Sequence, residues 1–391
     1  MASTFAELGL SADLVDALGE RGIVEPFAIQ QLTIADGLAG RDVCGKAKTG
    51  SGKTLAFGLP LLERVRALGT AAPGHPRALV LVPTRELAVQ VCDVLVPLGH
   101  AVGAPVSSFY GGASMEQQIK ALRRGIDVAI ATPGRLIDLG ERGELSVDSV
   151  QVLVLDEADR MADMGFMPQV EWVLRRMTHA HQTLLFSATL DGDVDHLVKR
   201  YLDDPVRHEV ESHTVTVEEM EHRFLAVHQL DKPKVAAAIV RGAYKTLIFV
   251  RTKRGADRLT QQLRREGVKA AAIHGDLRQG ARERALSDFA AGKLPALVAT
   301  DVAARGLHIE GVDIVIHYDP PEDHKSYLHR WGRTARAGEA GIVVTLVLWD
   351  QHLDVERIQK RIGVQMPIVE VFSNDERLRD LATWRPGEDA A

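Results

Sequence analysis

Apolar and polar positions fall along this chain in two successive runs of alternating strand and helix. In the first run, short apolar and β-branched stretches at 78–82, 106–109, 128–131, 152–155 and 183–186 are separated by segments of helical period such as 84–98 and 114–123. Stretches of that length without polar alternation predict strands buried on both faces. Their repetition with helices between them predicts a parallel sheet covered on either side. The pattern breaks after Asp203-Asp204-Pro205, and 209–221 is polar and without period. It resumes with strands at 224–228, 246–250, 270–273, 296–299, 314–317 and 342–348 and helices at 255–266 and 278–290. The fold class expected is α/β, with two tandem parallel-sheet domains at 1–208 and 222–372, a linker over 209–221 and a polar tail over 373–391. Ahead of the first strand, residues up to about 40 read as two short helices, the first opening near Ser11.

With 391 residues, 46% hydrophobic and 26% charged, the chain has the profile of a soluble globular protein of two or three domains. No apolar run nears the ~18 residues of a membrane span, and the N-terminus carries no signal-peptide pattern. A cytoplasmic location without membrane contact is therefore expected. The two cysteines, Cys44 and Cys92, have no metal-ligand spacing and predict neither a disulfide framework nor a zinc site. A net charge of −6 argues against gripping a polyanion by bulk charge, but leaves room for a local groove of arginines and backbone amides.

Candidate chemistry lies where strands end, the edge at which a parallel sheet binds ligands. Val152-Leu153-Val154-Leu155 stops in Asp156-Glu157-Ala158-Asp159, three carboxylates within four residues. Asp156 suits a magnesium ion, and Glu157 suits the orienting or deprotonating of water. Upstream, Ala47-Lys48-Thr49-Gly50-Ser51-Gly52-Lys53-Thr54 reads as a phosphate-binding loop between a strand and a helix, with alanine in the first position. Glycines let backbone N–H groups converge on phosphate oxygens at a helix N-terminus. Lys53 then reaches the β and γ phosphates and Thr54 ligates Mg²⁺. The second domain has no such loop, so one nucleotide site must serve both.

Taken in order, these motifs resemble the DEAD-box family of ATP-dependent RNA helicases, in the form of a minimal bacterial-type core. The likeness spans about residues 5–370, and Asp156–Asp159 spell the family's name. The resemblance implies two RecA-like P-loop NTPase domains of helicase superfamily 2, with ATP and Mg²⁺ as cofactors. It implies an RNA-stimulated ATPase that unwinds short duplexes and remodels RNA by closure of its two domains. Gly22–Gln30 would be the adenine motif, with Gln30 reading the base and Phe5 packing on it. Thr49, Gly50, Ser51, Gly52, Lys53 and Thr54 would hold the phosphates, Thr54 and Asp156 the metal, and Glu157 would activate water. Ser187 and Thr189, hydrogen-bonding toward the acidic loop around Asp159, would couple hydrolysis to strand separation. RNA backbone contacts would fall to Pro83, Thr84, Arg85, Gly111, Gly112, Thr132, Pro133, Gly134 and Arg135 in the first domain. In the second they would fall to Arg251, Thr252, Gly275, Gln279, Arg282 and Thr300, again with little sequence preference. Arg305 and Gly306 would touch both RNA and nucleotide. Arg333 and Arg336, in the motif beginning His329-Arg330-Trp331, would be arginine fingers that reach the γ-phosphate only on closure.

Some residues depart from the family pattern. Lys48 sits in a loop whose backbone does most of the work, Ala335 alters a turn, and Trp331 alters packing. His308 stands where an aspartate is usual, which predicts weaker or pH-sensitive closure. His274 and His329 suit a packing role as well as a functional one. Met161, Met164 and Met167 suit core or hinge packing, and Arg123-Arg124 a solvated helix end. The competing readings are a DNA translocase of the same superfamily and a non-catalytic RNA clamp. Phe5 and Gln30 speak against the first, and Lys53, Glu157, Arg333 and Arg336 against the second. The chain is expected to act as a monomer. Its RNA target, and any partners in ribosome assembly or RNA degradation, are left open.

Overall fold

The computed structural model describes residues 4–47, 50–210, 221–304, 311–321, 326, 327, 330 and 341–384. The chain divides into two compact units, Met1–Ser212 and His213–Ala391.

In the first unit, α1 (Ala12–Glu20) and α2 (Ala28–Leu38) precede β1 (Val43–Lys46), α3 (Lys53–Leu68), β2 (Ala78–Leu81), α4 (Arg85–Ala101), β3 (Val106–Phe109) and α5 (Met115–Arg123). They are followed by β4 (Val128–Ala131), α6 (Pro133–Glu141), β5 (Val152–Asp156), α7 (Ala158–Asp163), α8 (Met167–Leu174), β6 (Gln182–Ser187), α9 (Gly192–Tyr201) and β7 (Val206–Glu209). The strands pair in parallel in the order β3-β4-β2-β5-β6-β1-β7. β2, β4, β5 and β6 are buried along their whole length, as their apolar centres require, whereas β7 alternates between half-buried and exposed at the edge. Alternate residues of each strand enter opposite apolar layers: Val152 and Val154 join Phe57 and Phe186, while Leu153 and Leu155 join Met161 and Leu185.

The second unit runs β8 (Glu221–Ala226), α10 (Lys232–Arg241), β9 (Thr246–Val250), α11 (Lys253–Arg265), β10 (Ala270–Ile273) and α12 (Gln279–Ala290). It continues with β11 (Ala296–Thr300), α13 (Asp301–Ala304), β12 (Ile314–His317), β13 (Ile342–Val347) and β14 (Ile368–Glu370). Its parallel order is β10-β11-β9-β12-β13-β8-β14, the order of the first sheet repeated strand for strand. Among the described residues, no helix is long and apolar enough to cross a membrane.

The structure corrects the sequence reading at three places. β7 and β14 are edge strands that the apolar pattern does not reveal. β7 draws Glu209 out of the expected linker, pairing it with Lys46 across the ladder at 2.5 Å, and β8 begins at Glu221. The rest of that linker, 211–220, lies outside the described residues. Finally, the expected polar tail packs on the second unit as far as Trp384. Leu378, Leu381 and Trp384 are buried, and the Arg223 guanidinium donates to the carbonyls of Leu381 and Trp384 at 3.3 and 2.6 Å. Residues 385–391 lie outside the described residues.

Candidate functional site

Strand order brings the chemistry together. β6 lies between β1 and β5, so the turn after β1, the acidic end of β5 and Ser187 at the end of β6 are neighbours on one edge. The Ala47 N–H donates to the Ser187 carbonyl at 2.9 Å, which fixes the start of the phosphate loop. Gly50 and Gly52 take φ of 86° and 87°, and α3 begins at the next residue, Lys53. Gly52 is required twice over, because a Cβ there would also stand 2.5 Å from Gln30 Nε2 and 2.8 Å from a Phe27 ring carbon. Thr54 follows in the first turn of the helix, half-buried. Ser51 is half-buried as well.

Lys53 Nζ is buried, lies 4.0 Å from Asp156 Oδ1, and has no hydrogen-bond partner among the described residues. A buried ammonium without hydrogen bonds is costly, and a phosphate oxygen would satisfy it. Burial pushes the Asp156 carboxyl up to about 6, against the pull of Lys53 and with some help from Glu157. The Glu157 N–H donates to Asp156 Oδ1 at 3.0 Å. Glu157 itself is held at φ 52°, a left-handed conformation that costs a non-glycine residue about 1–3 kcal/mol and turns its side chain away from that of Asp156. Its carboxylate pairs with the Arg160 guanidinium, and both side chains are buried. The Asp159 N–H donates to Ser187 Oγ at 3.1 Å. Of the two hydroxyls expected to face this loop, only that of Ser187 does so; Thr189 is exposed, because it lies past the end of β6.

The adenine motif is built around Gln30, which is 2% exposed. Its Oε1 accepts from the Phe27 N–H at 2.8 Å and its Nε2 donates to the Gly52 carbonyl at 2.9 Å, so the amide ties the start of α2 to the phosphate loop. Phe5 lies elsewhere in kind: its ring is 2% exposed within the first unit's core.

The candidate RNA residues of the first unit follow β2, β3 and β4, which are neighbours on the other half of the same edge. Pro83 and Thr84 lead into α4, where Thr84 Oγ1 caps the helix by accepting from the Leu87 N–H at 3.3 Å. The Arg85 guanidinium lies against Gly111 and Gly112, leaving no room for a Cβ at Gly112. Thr132, Pro133 and Gly134 open α6. Arg135 is half-buried, reaches the Ala113 carbonyl at 3.5 Å, and keeps Nη1 without a partner among the described residues. Burial lowers its pKa; Asp138 opposes that shift, and the neighbouring charges of Arg85 and Arg142 add to it. An arginine desolvated beside other arginines suits a phosphate.

In the second unit, the Arg251 N–H donates to Asp319 Oδ2 at 2.8 Å and Thr252 Oγ1 caps α11 by accepting from the Gly255 N–H at 3.0 Å. His274 Nε2 pairs with Asp257 Oδ1 at 3.0 Å, which gives this histidine a structural partner. Gly275 is exposed, Gln279 donates to Glu283 at 3.0 Å, and Arg282 and Thr300 are buried. The Arg330 guanidinium clasps both Asp301 oxygens at 2.6 and 2.7 Å and donates to the Asp319 carbonyl at 2.8 Å, anchoring the start of the last motif to the ends of β11 and β12. Lys48, Thr49, Arg305, Gly306, His308, His329, Trp331, Arg333, Ala335 and Arg336 lie outside the described residues.

Four residues were missed by sequence reasoning. Arg160 could have been found from its i,i+3 spacing to Glu157. Phe27 lies inside the adenine motif but carries no polar chemistry to draw notice. Lys232 and Asp319 meet only through strand order.

Comparison with known proteins agrees with this geometry. The profile of DEAD/DEAH box helicases matches residues 27–197, and that of the helicase conserved C-terminal domain matches 231–338. The chain is 42% identical over 378 residues to the DEAD-box ATP-dependent RNA helicase CshA of Geobacillus kaustophilus, covering 96% of this chain and 80% of that one. It is 40% identical over 382 residues to CshA of Bacillus subtilis, covering 97% and 76%. Among solved structures, S. cerevisiae Dbp5 bound to RNA and ADP BeF3 aligns with a TM-score of 0.79 at 30% identity over 96% of this chain and 97% of that one.

Proposed function

The chain belongs to the DEAD-box ATP-dependent RNA helicases, and from that premise we propose that it binds ATP on its first unit and uses hydrolysis to open short RNA duplexes. The observation that carries this reading is the buried, unbonded Lys53 ammonium beside Asp156 at the mouth of a glycine turn. It is a site built for a triphosphate with its counter-cation.

Thr54 and Asp156 would hold Mg²⁺. One carboxylate and one hydroxyl are what that ion takes from protein when phosphates and water complete its shell, and no group of three or more metal-binding side chains occurs among the described residues. Bound there, the ion would supply charge neutralisation to the phosphates. Glu157, fixed by Arg160 and by its own backbone, orients and deprotonates the attacking water. Ser187, bonded to the acidic loop, transmits the state of the triphosphate to the strand ends beyond. Arg85, Arg135 and the amides around Gly111 and Gly112 take the backbone of one RNA strand in the first unit. Arg251, Thr252, Gln279 and Arg282 take it in the second. ATP and RNA together favour closure of the two units, which delivers Arg333 and Arg336 to the γ-phosphate. Each ligand then tightens the other by the same factor. The chain acts as a cytoplasmic monomer, a setting that its two unpaired thiols, Cys44 and Cys92, fit.

The test is ATP hydrolysis with and without structured RNA, alongside unwinding of a short RNA duplex. Turnover is expected to rise with RNA and to fall by about 10²–10⁴ in Glu157→Gln, with RNA binding retained in the presence of ATP. Undiminished turnover in that variant removes Glu157 from its role, and equal stimulation by DNA removes the RNA assignment.

A further inference from the structure

We propose that the outer face of α11 is a second RNA surface, an arginine track that holds the sugar-phosphate backbone of a bound strand where it runs past the strand-end contacts of the second unit. The inference rests on reading those strand ends as an RNA path. α11 packs inward through Ala256, Leu259, Thr260 and Leu263. At helical period, Arg254, Arg258, Gln261 and Arg265 fall on the opposite side in one narrow stripe, and all four are exposed. Arg251, just ahead of the helix, is exposed at its head. The other charged side chains of this segment are engaged elsewhere. Lys253 pairs with Asp276 at 2.5 Å and Asp257 with His274 at 3.0 Å. Arg264 donates to the Ala270 carbonyl at 3.0 Å, and Glu266 lies 3.8 Å from Arg241. Among the described residues, the guanidinium groups of Arg254, Arg258 and Arg265 have neither an ion pair nor a hydrogen bond.

A row of arginines without acidic partners stands out in a chain of net charge −6. Arg254 and Arg258 are four residues apart, a spacing at which like charges destabilise a helix, and an anion lying along them removes that repulsion. At the rise of an α-helix the three arginines stand about 6 and about 10 Å apart along the axis, so their side chains reach several phosphates of one strand. The stripe is continuous with the strand ends. A cleft of about 410 Å³ at the starts of α10 and α11 is lined by Arg251, Thr252, Arg258, Gln262 and Lys232, and among the described residues Asp319 is its one acidic side chain. Arg251 and Thr252 therefore belong both to the strand-end contacts and to the track. Guanidinium groups that meet phosphates and no base edge give affinity and salt dependence without sequence preference. The track lengthens the grip on RNA and favours long strands over short ones.

Equilibrium binding of two uridine oligonucleotides, about 8 and about 24 nucleotides long, to the full-length chain tests this. The variants are R254Q/R258Q/R265Q, its charge-retaining counterpart R254K/R258K/R265K, and R357Q/K360Q/R361Q, which makes the same charge change on the helix over His352–Ile362. R254Q/R258Q/R265Q is expected to bind the long strand about tenfold more weakly and to lower the logarithmic salt slope by about two, the scale of three lost phosphate contacts on a single strand. Affinity for the short strand, turnover at saturating RNA and melting temperature should hold, while the concentration of long RNA that gives half-maximal turnover rises with its Kd. The lysine variant should keep most of the long-strand affinity, and R357Q/K360Q/R361Q all of it. The proposal is overturned if long-strand affinity and salt slope survive in R254Q/R258Q/R265Q, if both strands weaken alike, or if R357Q/K360Q/R361Q weakens the long strand as much. If the unaltered protein binds the two strands equally, the track alone is wrong and the strand-end path stands. If it binds neither, that path falls and the track with it.

Discussion

The two sheets share one strand order and differ in what fills the crevice at the same place. β8 holds the position of β1, and β12 that of β5. In each unit a buried lysine opens the helix after the first of these strands and meets an aspartate at or just past the end of the second. Lys53 lies 4.0 Å from Asp156, and Lys232 lies 4.0 Å from Asp319. Before Lys53 the turn contains Gly50 and Gly52 at positive φ, whereas residues 227–231 contain no glycine. Lys53 Nζ has no hydrogen bond among the described residues, while Lys232 stands over the Tyr318 ring at 4.7 Å and Asp319 already accepts from the Arg251 N–H at 2.8 Å. Pro233 removes one N–H from the start of α10. Burial lowers the Lys232 pKa to about 8, with Asp319 opposing. The fold thus supplies a lysine–aspartate pair in both units. The turn decides whether backbone N–H groups open onto a phosphate or the pair is engaged by protein partners of its own.

The largest expected effect breaks this comparison directly. Lys53→Met should lower RNA-stimulated turnover by at least about a hundredfold, the scale of losing one charge-stabilising donor. Lys232→Met combined with Asp319→Asn should leave ADP affinity unchanged and shift the melting temperature little, because Asp319 is partly exposed and removing both members of an ion pair is often close to neutral. Equal losses of nucleotide binding in both proteins would show that the two pairs do the same job.

Acidity gives the next effect. With its pKa pushed up to about 6, Asp156 must release a proton before it serves a cation, so ATP–Mg²⁺ affinity should fall by up to about tenfold per unit below pH 6. The sign for stability is opposite. The folded carboxyl binds its proton more tightly than the unfolded one, which titrates near 3.8, so the ligand-free protein should lose stability as pH rises from about 4 to about 6. Asp156→Asn should abolish both trends, and melting curves and ligand titrations across that window are the measurement. The smallest effect sharpens the contrast between the two halves of the first sheet's edge. Arg135→Ala should weaken single-stranded RNA binding several-fold and lower the logarithmic salt slope by about one, with ADP affinity intact. A slope equal to that of the unaltered protein removes Arg135 from the phosphate path.

Much of this was legible from the residues. The strands at 106–109, 128–131, 246–250, 270–273 and 314–317 lie where the apolar runs put them. β7 and β14 did not show, because an edge strand needs only a ladder partner and no continuous apolar run; Val206-Arg207-His208-Glu209 reads as surface until β1 is beside it. Trp384 and Leu381 were hidden by the charges around them, and their burial in the second unit's core together with the Arg223 hydrogen bonds to their carbonyls reveals that this segment is held.

Sequence alone determined the two α/β repeats, the phosphate loop and the acidic strand end, since glycine conformations, apolar period and local spacing are properties of short stretches. Tertiary structure decided which of those stretches meet. It placed Lys53 against Asp156, bent Glu157 toward Arg160, gave the second lysine–aspartate pair protein partners of its own, and buried one phenylalanine while exposing another. Such outcomes depend on strand order and on which side chain reaches the core first, and these follow from the packing of the whole unit and not from any single segment.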